Sequence, residues 1–403
     1  MLQDISYKDY RRNNDIHGTV LYPAVMVAPV QEDVLRDIYR QDTVHSILDP
    51  FHGSGTALYE SHKIFPYARI YGCDINPLAN LITKTKLTGV SENIQQEIEM
   101  LRQRITNDTS TKIVEFENRE KWFRDDVAQS LSKIRRAIIQ VEDKNNRLFF
   151  WCMMCDIIRR YSNSRSSTYK LHIKPQEKID TMENNAIGDF LHSVEVNYHW
   201  FEAMHCNNYS LSKQNLMDYL PRFQNNKVDL LITSPPYGDN QTTVPYGLFS
   251  SLSLKWIAPD DLELEGWELD NYSAIDSHSL GSGRIETTLN NVQSTLLNPY
   301  LDQISDDKQA KVKKFFRAYF ECLDLFTQVV EKYLVLTLGN RTVDRVKIDL
   351  ADISGKYLKS KGFKEYQTVS RDILYKRTPS LTSIVQDEPV ESMSKEYVLI
   401  YKK

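Results

Sequence analysis

A short apolar segment that runs directly into a glycine-rich turn restricts the fold of this chain more than any other feature. Ser46–Asp49 has an apolar centre and is followed by Gly53 and Gly55. This pattern predicts a buried parallel strand and a tight turn. Thr56–Lys63 then predicts the start of a helix. A strand, a glycine turn and a helix in this order open a doubly wound α/β sheet.

The alternation of strands and helices is interrupted once and then resumes. Arg69–Asp74 predicts a second strand, whereas residues 91–205 show helical spacing with dense charge, which predicts a helical insertion. A buried strand returns at Val228–Thr233. Two C-terminal segments, Gly362–Tyr375 and Glu396–Tyr401, predict an antiparallel pair that closes the sheet. We therefore expect an α/β fold built on one large sheet.

Composition limits the function classes only loosely. The 403 residues are 41% hydrophobic, which is enough for a large core. A formal net charge of −4 does not exclude a nucleic-acid partner, because such binding needs a local basic face rather than a basic average. No apolar run is long enough to span a bilayer, so we expect no membrane partner.

The cysteines favour a reducing compartment, since the five are odd in number and widely scattered. Cys152 and Cys155 form a C-x-x-C inside the apolar stretch Leu148–Ile158. A zinc site needs a second ligand pair at similar spacing, and none is evident. We therefore expect both cysteines to pack in a core, and we expect no metal site.

The turn at Asp49–Thr56 has the properties of a ligand-binding loop. Glycines let the backbone approach a ligand closely, and the following helix start offers free amides to an anionic group. The G-K-[ST] ending of a nucleotide phosphate loop is absent. Asp74 lies about one strand–helix–strand unit downstream, where an acid can accept hydrogen bonds from ribose hydroxyls. The alternative is a structural turn with a solvent-facing acid.

These residues also carry a family resemblance. Asp49–Thr56 resembles the D-P-F-x-G-S-G-T motif of the amino-methyltransferases that modify DNA bases, and Gly72–Pro77 resembles their G-x-D-x-N-P. Tyr22-Pro23-Ala24 resembles the segment that those enzymes place over the methionine end of the cofactor. The resemblance implies a Rossmann-like class I methyltransferase with a seven-stranded, mostly parallel sheet, and S-adenosyl-L-methionine as the cofactor.

By the same resemblance, Asp49 and Gly53 would lie near the amino-acid part of the cofactor and Asp74 near its ribose. Gln214-Asn215 stands where the family often has Gly-Asp beside the adenine. The full set of expected cofactor-binding residues is Tyr22, Pro23, Asp49, Phe51, Gly53, Gly55, Thr56, Asp74, Ile75 and Asn215.

The strand Val228–Thr233 ends at Ser234-Pro235-Pro236-Tyr237, the most specific signal in the chain. Two prolines remove two amide donors, so the turn presents carbonyl oxygens. Acceptors around an exocyclic amine hold its hydrogens and favour a tetrahedral nitrogen whose lone pair faces an electrophile, and Ser234 Oγ and the Pro235 carbonyl suit that task. Tyr237 can stack on an extruded base. No cysteine lies in the loop, so nothing indicates covalent attack on the ring.

The resemblance extends to the target. S-P-P-Y is typical of cytosine-N4 enzymes, whereas D-P-P-Y and N-P-P-Y are commoner in adenine-N6 enzymes and some RNA guanine-N2 enzymes. We therefore expect a site-specific DNA methyltransferase that acts on cytosine N4 in double-stranded DNA, alone or with a cognate restriction endonuclease, in the cytoplasm of a prokaryote or encoded by a phage. An adenine-N6 enzyme, an RNA amino-methyltransferase and a non-catalytic DNA-binding subunit stay open as alternatives.

The chain is divided accordingly. Residues 1–90 and 206–256 would carry the cofactor and S-P-P-Y parts of the catalytic domain, and residues 306–403 its C-terminal part. The helical insertion, 91–205, and the polar segment 257–305, which we expect to be a loop or a small subdomain, are candidate DNA contacts. Within them, basic side chains stand among Ser and Asn and could pair with phosphates: Arg159, Arg160, Arg165, Lys170 and Arg284. The alternative is a solvated helix end and loop.

Overall fold

The computed structural model of the protein describes residues 5–238, 244–280, 288–373, 381–385, 388–391 and 395–403. Its strands are β1 (Ser46–Asp49), β2 (Arg69–Cys73), β3 (Tyr209–Ser212), β4 (Val228–Thr233), β5 (Val330–Gly339), β6 (Arg341–Val343), β7 (Val346–Ile348), β8 (Lys364–Asp372), β9 (Leu381–Val385), β10 (Glu388–Glu391) and β11 (Lys395–Lys402).

The α-helices alternate with these strands and also fill the long interval between β2 and β3. They are α1 (Ala28–Gln41), α2 (Thr56–Ile64), α3 (Pro77–Thr88), α4 (Ile94–Asn107), α5 (Arg119–Trp122), α6 (Asp125–Ile139), α7 (Lys144–Tyr161), α8 (Gln176–Asp180), α9 (Ala186–Asn197), α10 (Leu216–Tyr219), α11 (Tyr246–Trp256), α12 (Pro259–Leu262), α13 (Asn291–Leu301), α14 (Asp306–Val329) and α15 (Leu350–Ser360). Short 3-10 turns lie at Arg12–Asn14, Ile16–Gly18, Tyr198–Phe201, Leu220–Phe223 and Tyr272–Ser277.

The main sheet has seven strands in the order β3-β2-β1-β4-β5-β11-β8. The first five are parallel, and β11 runs antiparallel to both of its neighbours. The expected α/β architecture with a mostly parallel sheet is therefore confirmed, and so is the antiparallel pair at the C-terminus. The arrangement is consistent with the Rossmann-like fold that the resemblance implies.

Both faces of the sheet are covered by helices, because successive residues of each strand point to opposite faces. Ile47 of β1 packs in a cluster that includes residues of α1 and α2. Its neighbour Leu48 packs in a second cluster that includes residues of α14 and α15. Short apolar strands such as β1 are thus buried on both sides, which explains their nearly continuous apolar sequence.

The helices within residues 91–205 pack around an apolar core, and side chains from α3 and α11 also belong to this core. Cys152 and Cys155 lie in this core on α7, as expected. The polar segment 257–305, predicted to be a loop or a small subdomain, holds α12, a 3-10 turn and α13 among its described residues. None of the described helices is long and apolar enough to cross a membrane.

The strand order creates a crevice at one edge of the sheet. From β1 the chain steps outward to β2 and β3, and it then returns to the other side of β1 with β4 and β5. The carboxyl ends of the five parallel strands all lie at the same edge, and ligands of open α/β sheets bind where the winding direction reverses. Here that point lies between the ends of β1 and β4, at Asp49 and Thr233.

Candidate active site

A cavity of about 970 Å³ opens at the carboxyl edge of the sheet. Both sequence motifs contribute to its wall, although they are far apart in the chain. Most of the residues expected at the site line it: Tyr22, Pro23, Phe51, Gly53, Thr56, Asp74, Ile75, Asn215, Ser234, Pro235, Pro236 and Tyr237. Asp49 and Gly55 do not line the cavity themselves. They support the turn that does, because Asp49 accepts a hydrogen bond from the Phe51 amide and Gly55 begins α2.

Asp49 joins the two motifs. Its Oδ1 atom accepts hydrogen bonds from the Phe51 amide (3.0 Å) and from the hydroxyl of Thr233 (2.6 Å). Thr233 is the last residue of β4. Its Oδ2 atom is buried and has no hydrogen-bond partner among the described residues. Burial raises the pKa of this carboxyl to about 7. A buried acid behind the cavity wall therefore links the two motifs, and one of its oxygens accepts no hydrogen bond from the described residues.

The glycine turn has a backbone that other residues would strain. Gly55 caps α2 with φ of 76°, and an added Cβ would lie 2.6 Å from the Thr83 hydroxyl oxygen. Gly53 has φ of 50° and accepts a hydrogen bond at its carbonyl from Thr83 (3.0 Å). The left-handed backbone explains glycine at both positions, and the close contact with Thr83 of α3 is a second reason at Gly55.

Asp74 ties this turn to the end of β2. One carboxylate oxygen accepts from the Gly53 amide (3.0 Å) and the other from the Asn76 amide (2.9 Å). Burial is the main reason why its pKa lies above the ordinary value. Each oxygen has a second lone pair, so the carboxylate can still accept hydrogen bonds from hydroxyl groups in the cavity.

The segment around Tyr22 closes the cavity above the first motif. The side-chain amide of Asn76 donates to the Tyr22 hydroxyl (3.2 Å) and to Ser250 Oγ on α11 (2.7 Å). The rings of Tyr22 and Tyr246 are 5.9 Å apart. Tyr246, at the start of α11, also lines the cavity and was not foreseen from the sequence, because this contact joins segments that are distant in the chain.

Lys86 is a second residue that sequence reasoning missed. It is 1% exposed on α3, and its amine donates to the Ser54 carbonyl (2.8 Å) in the glycine turn. It also contacts His17, which in turn bonds to the buried Glu60 (3.0 Å). The signal in the sequence is its helical spacing, because Lys86 follows Leu78 and Ile82 at intervals of four on the buried side of the helix.

Burial lowers the pKa of Lys86 to about 7, and this predicts a pH dependence of stability. Between that pH and the ordinary lysine pKa, the unfolded chain holds a proton that the folded protein lacks. Stability must therefore rise with pH in this window, by up to about 1.4 kcal/mol per pH unit. Urea unfolding at pH 7, 8 and 9 should show this rise for the wild type relative to Lys86→Met. Parallel profiles of the two proteins would contradict it.

The Ser-Pro-Pro-Tyr turn directly follows β4. Ser234 Oγ lies 3.0 Å from the Tyr237 hydroxyl, which also lies 3.5 Å from the Thr337 carbonyl oxygen of β5. If Tyr237 donates to Thr337, it accepts the hydroxyl hydrogen of Ser234. The lone pairs of Ser234 are then free to accept hydrogens from a ligand. Burial raises the pKa of Tyr237, so its hydroxyl stays protonated.

The basic cluster of the helical segment is only partly available for phosphates. Arg159, expected to contact DNA, is 6% exposed, donates to the Thr168 carbonyl and lies over the Phe249 ring. In this structure the side chain is used inside the fold, and a contact between Arg159 and DNA stays a prediction. Arg160, Arg165 and Lys170 are exposed, and Arg160 pairs with Asp189 (2.7 Å). Arg284 lies outside the described residues.

Within the described ranges, no group of three or more His, Cys, Asp or Glu side chains could hold a metal ion. The five cysteines are free thiols, and all of them are buried. The polar side chains that line the cavity include hydroxyls, amides, two imidazoles and charged groups, which bind ligands through hydrogen bonds and ion pairs.

Comparison with known proteins supports a reaction class for the chain. The chain is 28% identical over 402 aligned positions to the "Type II methyltransferase M.MvaI" of Kocuria varians. The match covers 91% of this chain and 86% of that protein. It supports a methyltransferase family for the chain. No family model matches, and no solved structure matches.

Proposed function

We propose that this protein is a site-specific DNA methyltransferase that transfers a methyl group from S-adenosyl-L-methionine to N4 of cytosine. The observation that carries the proposal is the meeting of two loops in one cavity: the glycine turn with Asp74, and the Ser234–Tyr237 turn. The similarity to a type II methyltransferase over most of the chain supports the reaction class.

The cofactor half of the cavity fits S-adenosyl-L-methionine. Asp74 suits the ribose hydroxyls, and Asp49, buried behind the wall, would hold the glycine turn that lies near the amino-acid part of the cofactor. Ile75 and Asn215 would flank the adenine, and the Tyr22–Pro23 segment would cover the methionine part. When bound, the cofactor supplies an electrophilic methyl group on a sulfonium.

The turn after β4 would prepare the amine for attack. Ser234 Oγ and the Pro235 carbonyl would accept the two hydrogens of the amino group, so the nitrogen lone pair is free to form the new N–C bond while the methyl–sulfur bond breaks and its electron pair stays on sulfur. The nitrogen then loses one hydrogen as a proton to water. This chemistry relies on positioning and fixed dipoles, so a strong base is not required.

The target base must leave the duplex to reach this turn, because the cavity encloses the reacting groups. Tyr237 lines the cavity and offers a ring face for stacking. Arg160, Arg165 and Lys170 are exposed cations that suit the DNA backbone. The type II name of the relative favours a modification enzyme that protects DNA from a cognate restriction endonuclease.

The test is nucleoside mass spectrometry on plasmid DNA from a methylation-free host that expresses this chain. We expect N4-methylcytosine, which would establish the reaction and the base together. N6-methyladenine would keep the mechanism but replace cytosine by adenine. Neither modified base, from protein that binds S-adenosyl-L-methionine in calorimetry, would refute DNA methylation by this chain alone.

A further inference from the structure

The cavity extends beyond the Ser-Pro-Pro-Tyr turn into a part that none of the steps above uses. This part, called the β5 side here, is lined by residues of α14 and of the segment after β5: Lys308, Lys311, Val312, Ala318, Glu321, Cys322, Asn340, Arg341, Thr342 and Val343. It lies on the far side of β4 from β1, β2 and β3, whose loops carry the expected cofactor residues.

Asn340 is the unusual residue of the β5 side. It follows the last residue of β5, lines the cavity and is 6% exposed. Neither Nδ2 nor Oδ1 has a hydrogen-bond partner within the part of the chain that the structure describes. A buried polar group without a partner destabilises a fold by about 1–3 kcal/mol. The Asn340 side chain carries two such groups, so its position in the cavity wall is not explained by contacts within the described protein.

Two other asparagines near the same cavity show the contrast. Asn76 donates to Tyr22 and Ser250, and its side-chain oxygen accepts from the Leu78 amide. Asn80 donates to the Asp74 and Asn76 carbonyls. Their amides are part of the framework that holds the loops. The Asn340 amide holds nothing in the described protein, so its donor and acceptor are both available to a ligand.

The position of Asn340 in the sheet indicates whether its ligand is the target base or the cofactor. β5 pairs with β4 in parallel, so the end of β5 lies beside the Ser-Pro-Pro-Tyr turn. The Tyr237 hydroxyl lies 3.5 Å from the carbonyl oxygen of Thr337, three residues before Asn340. The loops expected to hold the cofactor follow β1, β2 and β3, on the other side of β4. Asn340 therefore lies on the side of the cavity that holds the Ser-Pro-Pro-Tyr turn, away from the loops expected to hold the cofactor.

The basic side chains that line the cavity lie on the β5 side rather than in the loops expected to hold the cofactor. Lys308, Lys311 and Arg341 lie on the β5 side together with one acid, Glu321, and Lys308 is paired with Asp344. Among the described lining residues, the loops after β1, β2 and β3 contribute Asp74 and no Lys or Arg. A cationic margin suits the phosphates that flank an extruded nucleotide.

We propose that Asn340 is a base-recognition residue that hydrogen-bonds the edge of the extruded target base. The proposal rests on the proposed function. A side-chain amide offers a donor and an acceptor at fixed spacing. Its Nδ2 donates to the ring nitrogen next to the amino-bearing carbon, which is N3 of cytosine, and the two amino hydrogens are left to Ser234 and Pro235. Asn340 thereby holds the base in the register at which Ser234 and Pro235 reach the same amine.

The test compares the full-length wild type with Asn340→Leu, which has nearly the same shape, and Asn340→Ala. The substrate is plasmid DNA from a methylation-free host. Asn225→Ala is the matched control, because Asn225 is exposed and lies just before β4, at the opposite edge of the sheet. We expect kcat/KM for DNA to fall about 100-fold in Asn340→Leu. We also expect unchanged S-adenosyl-L-methionine affinity, and a Tm equal to or above that of the wild type, because no protein hydrogen bond is lost.

Four results would overturn the assignment. Wild-type methylation by Asn340→Leu and Asn340→Ala would show that the amide does not contact the base, and would leave the proposed function intact. A parallel loss of cofactor affinity would place Asn340 with the cofactor. A lower Tm in both variants with a proportionate loss of activity would make it a structural residue. A wild type that methylates no DNA would instead remove the proposed function, and this assignment with it.

Discussion

We expect Ser234→Ala to lower the single-turnover rate constant of methyl transfer about 100-fold, the usual effect of removing one preorganised group that acts in the transition state. Ser234 lines the cavity, and its hydroxyl lies 3.0 Å from that of Tyr237. Alanine removes an acceptor for the amine hydrogens and disturbs neither Asp74 nor the glycine turn. S-adenosyl-L-methionine affinity, measured by calorimetry, should stay within about twofold of the wild type.

Tyr237→Phe is the companion variant, because it keeps the ring and removes only the hydroxyl that orients Ser234. We expect a smaller loss in rate, about tenfold, since the acceptor atom itself remains. A wild-type rate in Ser234→Ala would refute the role of the hydroxyl and leave the Pro235 carbonyl as the main acceptor. Equal losses of rate and of cofactor affinity would show that the turn has collapsed.

The parts of the fold and site that the sequence predicts are those set by neighbouring residues. Ser46–Asp49 and Val228–Thr233 are apolar runs that end at glycine or proline, and their bounds as strands match the prediction. Parallel strands end at the same edge of a sheet, so the meeting of their two loops follows once both strands are known. In the register of β1 with β4, Leu48 lies opposite Leu231, so the two loops follow their strands at neighbouring positions.

Side chains whose roles depend on distant segments could not be predicted in this way. Arg159 stands in a basic, serine-rich stretch, but packing against Phe249 of α11 takes it inside. Lys86 acts on the glycine turn from a different helix, and the sequence shows only that it lies on an apolar side. The unpartnered amide of Asn340 is visible only after every neighbour has been placed.

The remaining large effect concerns the cofactor half of the site. We expect Asp74→Ala to weaken S-adenosyl-L-methionine binding by about 100-fold or more. The variant loses the acceptor proposed for the ribose hydroxyls, and hydrogen bonds to charged groups contribute about 1.5–3 kcal/mol each. It also releases the Gly53 and Asn76 amides, so the glycine turn loses the contact that joins it to the end of β2. Calorimetry with the full-length protein measures the change.

Two further variants separate these causes. Asp74→Asn keeps the shape and one acceptor oxygen but loses the charge, so its affinity should fall between those of the wild type and Asp74→Ala. Asp302→Ala removes an exposed acid from the C-terminus of α13 and should bind the cofactor as the wild type does. Unchanged affinity in Asp74→Ala would remove the ribose role. Wild-type affinity in Asp74→Asn beside a large loss in Asp74→Ala would show that Asp74 acts through the shape of the turn, because the charge would then contribute nothing to binding.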